Sequence, residues 1–396
     1  MSNSSAEVRK QPAVLLLGND DRVILAVARG LGRNGIAVHV AWCEPNSPAL
    51  SSRYVVASHK IAAYRPETLD WIHELNELVD TGGFKLVVPC NDFAVVPLQF
   101  HRDQLTTSTP WYLIDDRHFQ ITFDKIRSRR LAQTRQVPVP DQIELTAEQI
   151  QVWAESQSDD WPQDQTLNFP AFLKPVSSVT QDQVGCKRVA CRVENNDELK
   201  SQLTNTEWSD GCIIQSAFSG SGVGVEVLAH EGQILLQLQH RRLRETVDGG
   251  STYRETIEEI PDLTRATREM VEELGYTGVA MFEYRYCFES RAWVFLEINA
   301  RFWGSLPLAI ASGINFPWAL YQMLVEGRRE FDWVPRVGRR CRNLIRDLRA
   351  YRRQRDKAFG AWRLMTGRDQ LDFFATDDWR PQWQEFVALG KSFVER

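Results

Sequence analysis

Short apolar runs alternate with amphipathic stretches over the first hundred residues. Val14-Leu15-Leu16-Leu17 reads as a buried strand, Val23 to Asn34 as a helix and Ala37-Val38-His39-Val40 as a second strand. Leu69 to Val79 then reads as a helix and Leu86-Val87-Val88-Pro89 as a strand. That alternation predicts a parallel sheet with helices on its faces. Asp124-Lys125 opens a helix carrying Arg127, Arg129 and Arg130, and Val137-Pro138-Val139-Pro140 stops it. Residues 142–168 are polar and predict a helix followed by a loop. From 170 to 300 strand patterns dominate, at 171–174, 189–193, 212–215, 223–228, 233–239, 279–286 and 293–298, with one helix at about 262–274 among them. No internal repeat is present.

Two of these strands carry acids where a buried strand should have none. Val279 to Tyr284 and Trp293 to Asn299 are rich in β-formers, and Glu289-Ser290-Arg291 between them is turn-like, so the pair reads as a hairpin. A turn centred near Ser290 puts Glu283 opposite Glu297. Directly opposed like charges are destabilising, so two carboxylates on an apolar hairpin ask for a cation. Asn299 and Arg301 share the face of Glu297 by the strand period of two. Oxygen ligands of this kind suit Mg²⁺, which keeps its waters and shares itself with substrate phosphates. The plainer alternative is a solvated hairpin face with scattered acids.

At 396 residues the chain predicts two or three domains. Its 43% hydrophobic and 25% charged content is ordinary for a globular protein, and a net charge of −5 marks no global nucleic-acid binder. The seven cysteines are scattered without a CxxC pair, which predicts reduced thiols and no zinc site. No signal peptide and no run of 18 apolar residues is found, and the expected location is cytoplasmic.

Other motifs each carry two readings. Gly18, Gly30 and Gly32 lack the dinucleotide-binding spacing, and no P-loop pattern occurs. Lys174 ends the apolar strand 171–174, where a phosphate would suit it as a partner, or where it simply reaches solvent. The glycine-rich run Phe218 to Gly224 either lets backbone approach a nucleotide or forms a flexible hairpin turn. His240-Arg241-Arg242-Leu243-Arg244, followed by Gly249-Gly250-Ser251-Thr252, concentrates cations beside a loop, which fits phosphate or carboxylate binding better than a solvated face.

Taken together, these residues resemble the ATP-grasp superfamily, and within it the carboxylate–amine ligase-like relatives of the ATP-binding halves of carbamoyl phosphate synthase. The resemblance spans about 13–320. It rests on Asp124-Lys125 with the following Val137-Pro138-Val139-Pro140, and on Phe169 to Pro175. It extends over Ile213-Ile214-Gln215 with Phe218-Ser219-Gly220, and is most specific in Gly278 to Glu283 and Leu296 to Ser305, before Gly313-Ile314-Asn315-Phe316-Pro317. It implies an α/β and α+β chain: a Rossmann-like, pre-ATP-grasp domain at 1–115, a two-lobed ATP-grasp domain at 116–327, and a basic, mainly helical segment at 328–396.

By the same resemblance, Lys125 and Lys174 contact ATP phosphates, and Gln215 lies near adenine. Glu283, Glu297 and Asn299 hold Mg²⁺, with Mn²⁺ as the alternative. Arg301 stabilises the transferring phosphoryl group, and Arg241 and Arg242 face the phosphoryl acceptor. The implied activity is ADP-forming ligation of a small-molecule carboxylate to an amine or thiol through an acyl phosphate. The alternatives are carbamoyl-phosphate-type phosphorylation of a small acid and a nucleotide-binding regulatory protein without catalysis. Two departures stand out: the segment Val176 to Gly185 is poor in glycine, and the ribose-binding acid of relatives would fall near Gly222, with Glu226 as a substitute two pleats on. No specific nucleic acid is expected; a homodimer is compatible with the relatives.

Between Arg328 and Arg368 lie thirteen arginines and one lysine against four acids, a surplus of ten that leaves about −15 on the rest of the chain. Leu344, Leu348 and Tyr351 recur there at helical spacing. Docking on an anionic membrane is less favoured than a helix whose arginines pair with the acidic remainder or a second subunit. Asp347 and Asp356 interrupt the run, and Phe359 and Trp362 have the character of packing residues.

Overall fold

A computed structural model of the chain describes residues 11–155, 167–179, 184, 188–205, 208, 210–246, 250–354 and 367–394. Phe359, Trp362, Gly249 and residues 180–183 and 185 of the glycine-poor segment lie outside them. The chain divides into two compact units: residues 1–113, 317–328 and 373–396 form the first, and 114–316 with 329–372 the second.

The first unit is the expected parallel sheet. Strands β1 (Ala13–Leu17), β2 (Ala37–Ala41), β3 (Val55–His59) and β4 (Leu86–Pro89) lie in the order β3-β2-β1-β4, every neighbour parallel. Helix α1 (Asp21–Gly32) joins β1 to β2, α2 (Asp70–Gly82) joins β3 to β4, and α3 (Asp92–Phe100) follows β4. Asp20 caps α1 by accepting from the backbone N–H groups of Arg22 and Val23. Leu15, Leu17, Trp71, Leu75, Val87 and Leu98 are among the side chains that close the core.

The second unit contains α4 (Asp116–Thr122), α5 (Lys125–Thr134) and two sheets. The smaller sheet joins β5 (Gln142–Leu145), β6 (Ala171–Pro175), β7 (Cys191–Val193) and β8 (Cys212–Ser216) in the antiparallel order β5-β8-β6-β7. Helices α6 (Ala147–Glu155) and α7 (Asn196–Asn205) accompany it. The larger sheet contains β9 (Ser221–His230), β10 (Gln233–Glu245), β11 (Ser251–Thr256), β12 (Gly278–Tyr286), β13 (Trp293–Asn299), β14 (Arg340–Arg342) and β15 (Asp369–Leu371). Its order is β13-β12-β9-β10-β11-β14-β15. Alternate residues Val223, Val225 and Val227 of β9 and Ala280, Phe282 and Tyr284 of β12 turn to one face, where α8 (Pro261–Leu274) packs through Leu263, Met270 and Val271. The opposite face carries Glu226, Glu283 and Arg285 together with the buried Met281.

Two expectations need correction. The glycine-rich run is neither a loop nor a turn from Ser221 on, because Ser221 to Gly224 begin the long strand β9, paired on both sides. The described part of 328–396 is mainly helical, as expected, but it is not one separate segment. After α9 (Leu306–Ser312) and α10 (Phe316–Val325), strands β14 and β15 flank α11 (Leu344–Gln354) and extend the large sheet. The final helix, α12 (Arg380–Val394), belongs to the first unit. Among the described residues no single helix is long and apolar enough to cross a membrane.

Candidate functional site

The polar face of the large sheet gathers the acids of the β12–β13 hairpin. Glu283 pairs directly with Glu297, and Met281 with Asn299. The pairing depends on a bulge. From the turn the register runs Tyr286 to Trp293, Arg285 to Val294 and Tyr284 to Phe295, then shifts by one before Glu283 meets Glu297. Were Leu296 paired in the ladder rather than bulged, it would face Glu283 and set Glu297 opposite Phe282, sending its carboxylate toward the apolar core. A bulge re-aiming a side chain beside a site is a recurrent device. Asn299 Nδ2 donates to Glu283 Oε1 at 3.1 Å and lies 3.5 Å from Glu297 Oε1; Arg301 donates to Asn299 Oδ1 at 3.0 Å.

The cations come from several elements. In β6, Ala171 and Leu173 enter the small-sheet core, so period two leaves Lys174 on the other face. Its Nζ donates to Gln215 Oε1 at 2.6 Å, and Gln215 Nε2 donates to Gln142 Oε1 at 3.3 Å. Lys125 heads α5, whose start is fixed by Asp124 accepting from the N–H groups of Ile126 and Arg127. Its Nζ donates to Ser178 Oγ at 2.8 Å, while its backbone N–H reaches Val176 O at 3.1 Å. Burial pushes the Lys174 ammonium down to about 8; Glu297 and Glu283 oppose that shift, and Lys125 and Arg285 add to it. Lys125, Lys174, Glu283 and Glu297 therefore share one electrostatic environment.

Arg242 of β10 lies 2.6 Å from Glu283 Oε2 and 3.3 Å from Glu245 Oε1. Burial lowers its pKa, but Glu283 and Glu245 outweigh burial and hold the guanidinium above its usual range. Sequence reasoning gave no role to Glu245, which ends the cationic run from His240, and passed over Arg285. Arg285 donates to Glu245 Oε2 at 2.9 Å and to Gly220 O at 3.1 Å. The signal was present: Arg285 stands two residues beyond Glu283 on one strand, and hence on the same face.

Two expected members lie elsewhere. Arg241 adjoins Arg242 on a strand, so its side chain takes the opposite face, where it makes 3.0 and 2.7 Å bonds to Glu255 Oε2 and covers the ring of Phe288. Glu226 is fully buried; its Oε1 accepts from Ser305 Oγ at 2.7 Å and lies 3.1 Å from His240 Nδ1. It is committed to internal packing and does not offer an open acid to a nucleotide. A cleft of about 630 Å³ at the far end of β10, lined by Gln233, Leu235, Gln237, Glu259, Arg268 and Glu272, contains none of the residues singled out above.

Among the described residues no three His, Cys, Asp or Glu side chains cluster as metal ligands. The groups that converge are two carboxylates and the Asn299 amide, which turns Nδ2 to them and Oδ1 to Arg301. The carboxylate oxygens fit a hard cation that completes its shell with water and phosphate oxygens, and Mg²⁺ has that habit; the amide joins them as an oxygen ligand only with Oδ1 and Nδ2 exchanged. Such a set does not fit a soft metal.

Residues 209–342 match a family model described as ATP-grasp in the biosynthetic pathway with Ter operon. A search of the curated proteins found no match. Among solved structures, an L-amino acid ligase from Bacillus licheniformis is similar at 15% identity, with 84% of this chain and 79% of that chain covered and a TM-score of 0.58. Biotin carboxylase from Campylobacter jejuni is similar at 14% identity, over 81% of this chain and 72% of that one, with a TM-score of 0.61. N5-carboxyaminoimidazole synthetase from Staphylococcus aureus, complexed with ADP, is similar at 12% identity over 80% and 78%, with a TM-score of 0.57. At such identities the likeness is one of fold. Residues 209–342 match an ATP-grasp family model, and the chain shares the fold of these solved structures, the fold class expected from its sequence.

Proposed function

We propose that this ATP-grasp chain is an ATP-dependent ligase that joins a small-molecule carboxylate to an amine through an acyl phosphate. The observation that carries the reading is the Glu283–Glu297 pair, directly opposed and bonded to Asn299, with Lys125 and Lys174 close by. Opposed carboxylates are costly without cations beside them; Arg242 answers Glu283 alone, and the two lysines suit the phosphates that a metal ion on the pair accompanies.

In this reading Glu283, Glu297 and Asn299 hold Mg²⁺, which supplies charge neutralisation and Lewis acidity at the ATP phosphates. Lys125 and Lys174 bind phosphate oxygens, and Gln215 orients the Lys174 ammonium. Arg301, steadied by Asn299, offsets charge on the transferring phosphoryl group. A substrate carboxylate oxygen attacks the γ-phosphorus as the bond to ADP breaks. An amine then attacks the acyl carbon, the carbon–oxygen bond breaks, phosphate leaves and the amine loses a proton. The protein works by positioning and charge stabilisation, as in phosphoryl transfer generally, and no protein nucleophile is required.

The test is ADP release from Mg·ATP against pools of amino acids, other small carboxylic acids and bicarbonate, with and without hydroxylamine. Carboxylate-dependent release with a hydroxamate product is expected. Glu297→Gln should lose most turnover, by 100-fold or more on the order of a lost electrostatic stabiliser. Undiminished turnover in that variant removes Glu297 from the metal site. Release that requires bicarbonate alone would favour carboxyphosphate chemistry.

A further inference from the structure

Trp379, Trp383 and Phe386 are 55%, 59% and 43% exposed. Trp379 directly precedes α12, and its carbonyl accepts from the backbone N–H of Trp383 at 3.4 Å. Steps of four and three residues bring the three rings onto one stripe of the helix. The sequence carries the same spacing on to Gly390 and Phe393, within the 15 residues of α12. Alternating steps of four and three mark the seam between paired helices. Single exposed apolar residues are ordinary, but a row of aromatic ones marks an interaction surface.

A loose end does not explain the exposure, because the two residues before the stripe are fixed to the first unit. Asp378 accepts from Arg29 Nε at 2.9 Å and from Ser52 Oγ at 2.7 Å. Asp377 accepts from Arg33 Nη2 at 2.7 Å and from the Tyr54 hydroxyl at 2.6 Å. Pro381 and Gln382 are buried, so α12 rests on its unit through that face and leaves the aromatic stripe to solvent. Among the described residues none makes a ring contact with Trp379, Trp383 or Phe386.

The composition of α12 says what covers the stripe. An anionic membrane is the poorer fit, since the positions between Trp383 and Phe386 are Gln384 and Glu385, where a helix lying on such a surface presents Lys and Arg. A second copy of the same helix is the better one. Laid antiparallel about a two-fold axis at Phe386, the stripe sets Phe386 against itself and Trp383 opposite Gly390, the largest residue against the smallest. A closed pair of this kind uses one patch twice. Aromatic side chains bury about 150–250 Å² each, so three half-exposed ones from each copy supply on the order of half the roughly 1,200 Å² of a specific interface. The partly buried Val387 and Leu389 flank the stripe and add to it.

We infer that α12 is a dimerisation surface, on which a second copy of this chain packs its own α12 antiparallel, each Trp383 seated over the other copy's Gly390. The inference goes beyond the chemistry proposed above and does not depend on it.

The experiment is sedimentation velocity on the full chain over a dilution series. The unaltered protein is expected to be a dimer that dissociates on dilution. Trp383→Ala should weaken it at least about tenfold, the scale of one lost aromatic anchor. Gly390→Trp alone should also weaken it by crowding, whereas the two changes together move the large residue across the same contact and should recover part of the loss. Phe386→Cys should cross-link two copies on oxidation, with Gln384→Cys and the unaltered protein as controls. Far-UV circular dichroism reports that each variant is folded. The inference is overturned if the unaltered chain is monomeric throughout, or if folded Trp383→Ala dimerises as well as the parent. A monomer that co-sediments with anionic vesicles through this stripe would overturn it in favour of a membrane. Loss in Trp383→Ala with no recovery in the double variant and no Phe386→Cys cross-link would overturn the antiparallel pairing. Should Trp383→Ala fail to fold, the state of the unaltered protein and the Phe386→Cys cross-link still decide.

Discussion

Lys174 must be charged to hold a phosphate, yet burial has pushed its pKa from 10.5 to about 8. Raising the pH through that value strips the ammonium from the free protein. ATP affinity should therefore fall above about pH 8, approaching tenfold per pH unit, a dependence that calorimetric titration between pH 7 and 9.5 would show. Lys174→Arg should flatten the profile, because guanidinium stays charged throughout; a flat profile in the unaltered protein would remove Lys174 from phosphate binding. Stability carries the opposite sign. The unfolded chain binds the proton more tightly than the folded one between about pH 8 and 10.5, so this group's contribution rises with pH across that window. Glu226 shows how burial changes the role of a residue of seemingly suitable chemistry. Its strand face matches that of the missing ribose acid, but Ser305 and His240 enclose it, and nothing in the local sequence announces two partners 79 and 14 residues away.

Strand geometry decides which side chains work together. Period two and a turn near Ser290 are enough to set Glu283 against Glu297, and the same period separates Arg241 from Arg242, although adjacent cations in sequence invite treatment as a unit. The bulge at Leu296 is not legible in the sequence. A turn centred near Ser290 predicts the correct pairing, whereas the ladder near the turn is offset by one residue and the bulge restores it. The glycines of β9 are visible as a run but not as a surface. Gly224 leaves room for the imidazole of His240, since a Cβ there would come within 2.3 Å of its Cε1. His240 is 1% exposed and within hydrogen-bonding distance of Glu226, so it has nowhere to retreat. Gly224→Ala should accordingly cost about 1–3 kcal/mol, as overpacking of a close-packed site does, measurable as a lower urea midpoint. An unchanged midpoint would mean that the imidazole can move aside.

At the scale of the molecule, the chain crosses from the first unit to the second and back twice, and its final segment completes the first. Only half of this is legible along the chain. Arg29 lies within the apolar run of α1, a buried cation requiring a partner. The partner, Asp378, stands 349 residues away, and no periodicity connects positions so distant. Arg29 Nε donates to Asp378 Oδ2 at 2.9 Å, and its Nη2 donates to Phe373 O and Asp378 O at 2.8 and 2.7 Å. Ser52 Oγ and the backbone N–H of Arg53 donate to the same carboxylate. The tail's charges are answered on both sides: Arg342 pairs with Asp347 and Asp369 of the tail, Arg340 with Glu255 of β11, and Asp372 takes Arg254 from β11. These acids are as informative as the arginines, although the charge run draws attention first. Breaking one member of a buried pair leaves the other uncompensated, at about 3–5 kcal/mol. Asp378→Ala should destabilise the first unit by that amount, because Arg29 remains buried at 5% exposure. Pairing that change with Arg29→Met should recover part of the loss, since an apolar side chain leaves no buried charge. Urea titrations of the two single variants and the double variant would measure the coupling, and simple additivity of the two losses would show that the C-terminal segment is not held by this pair.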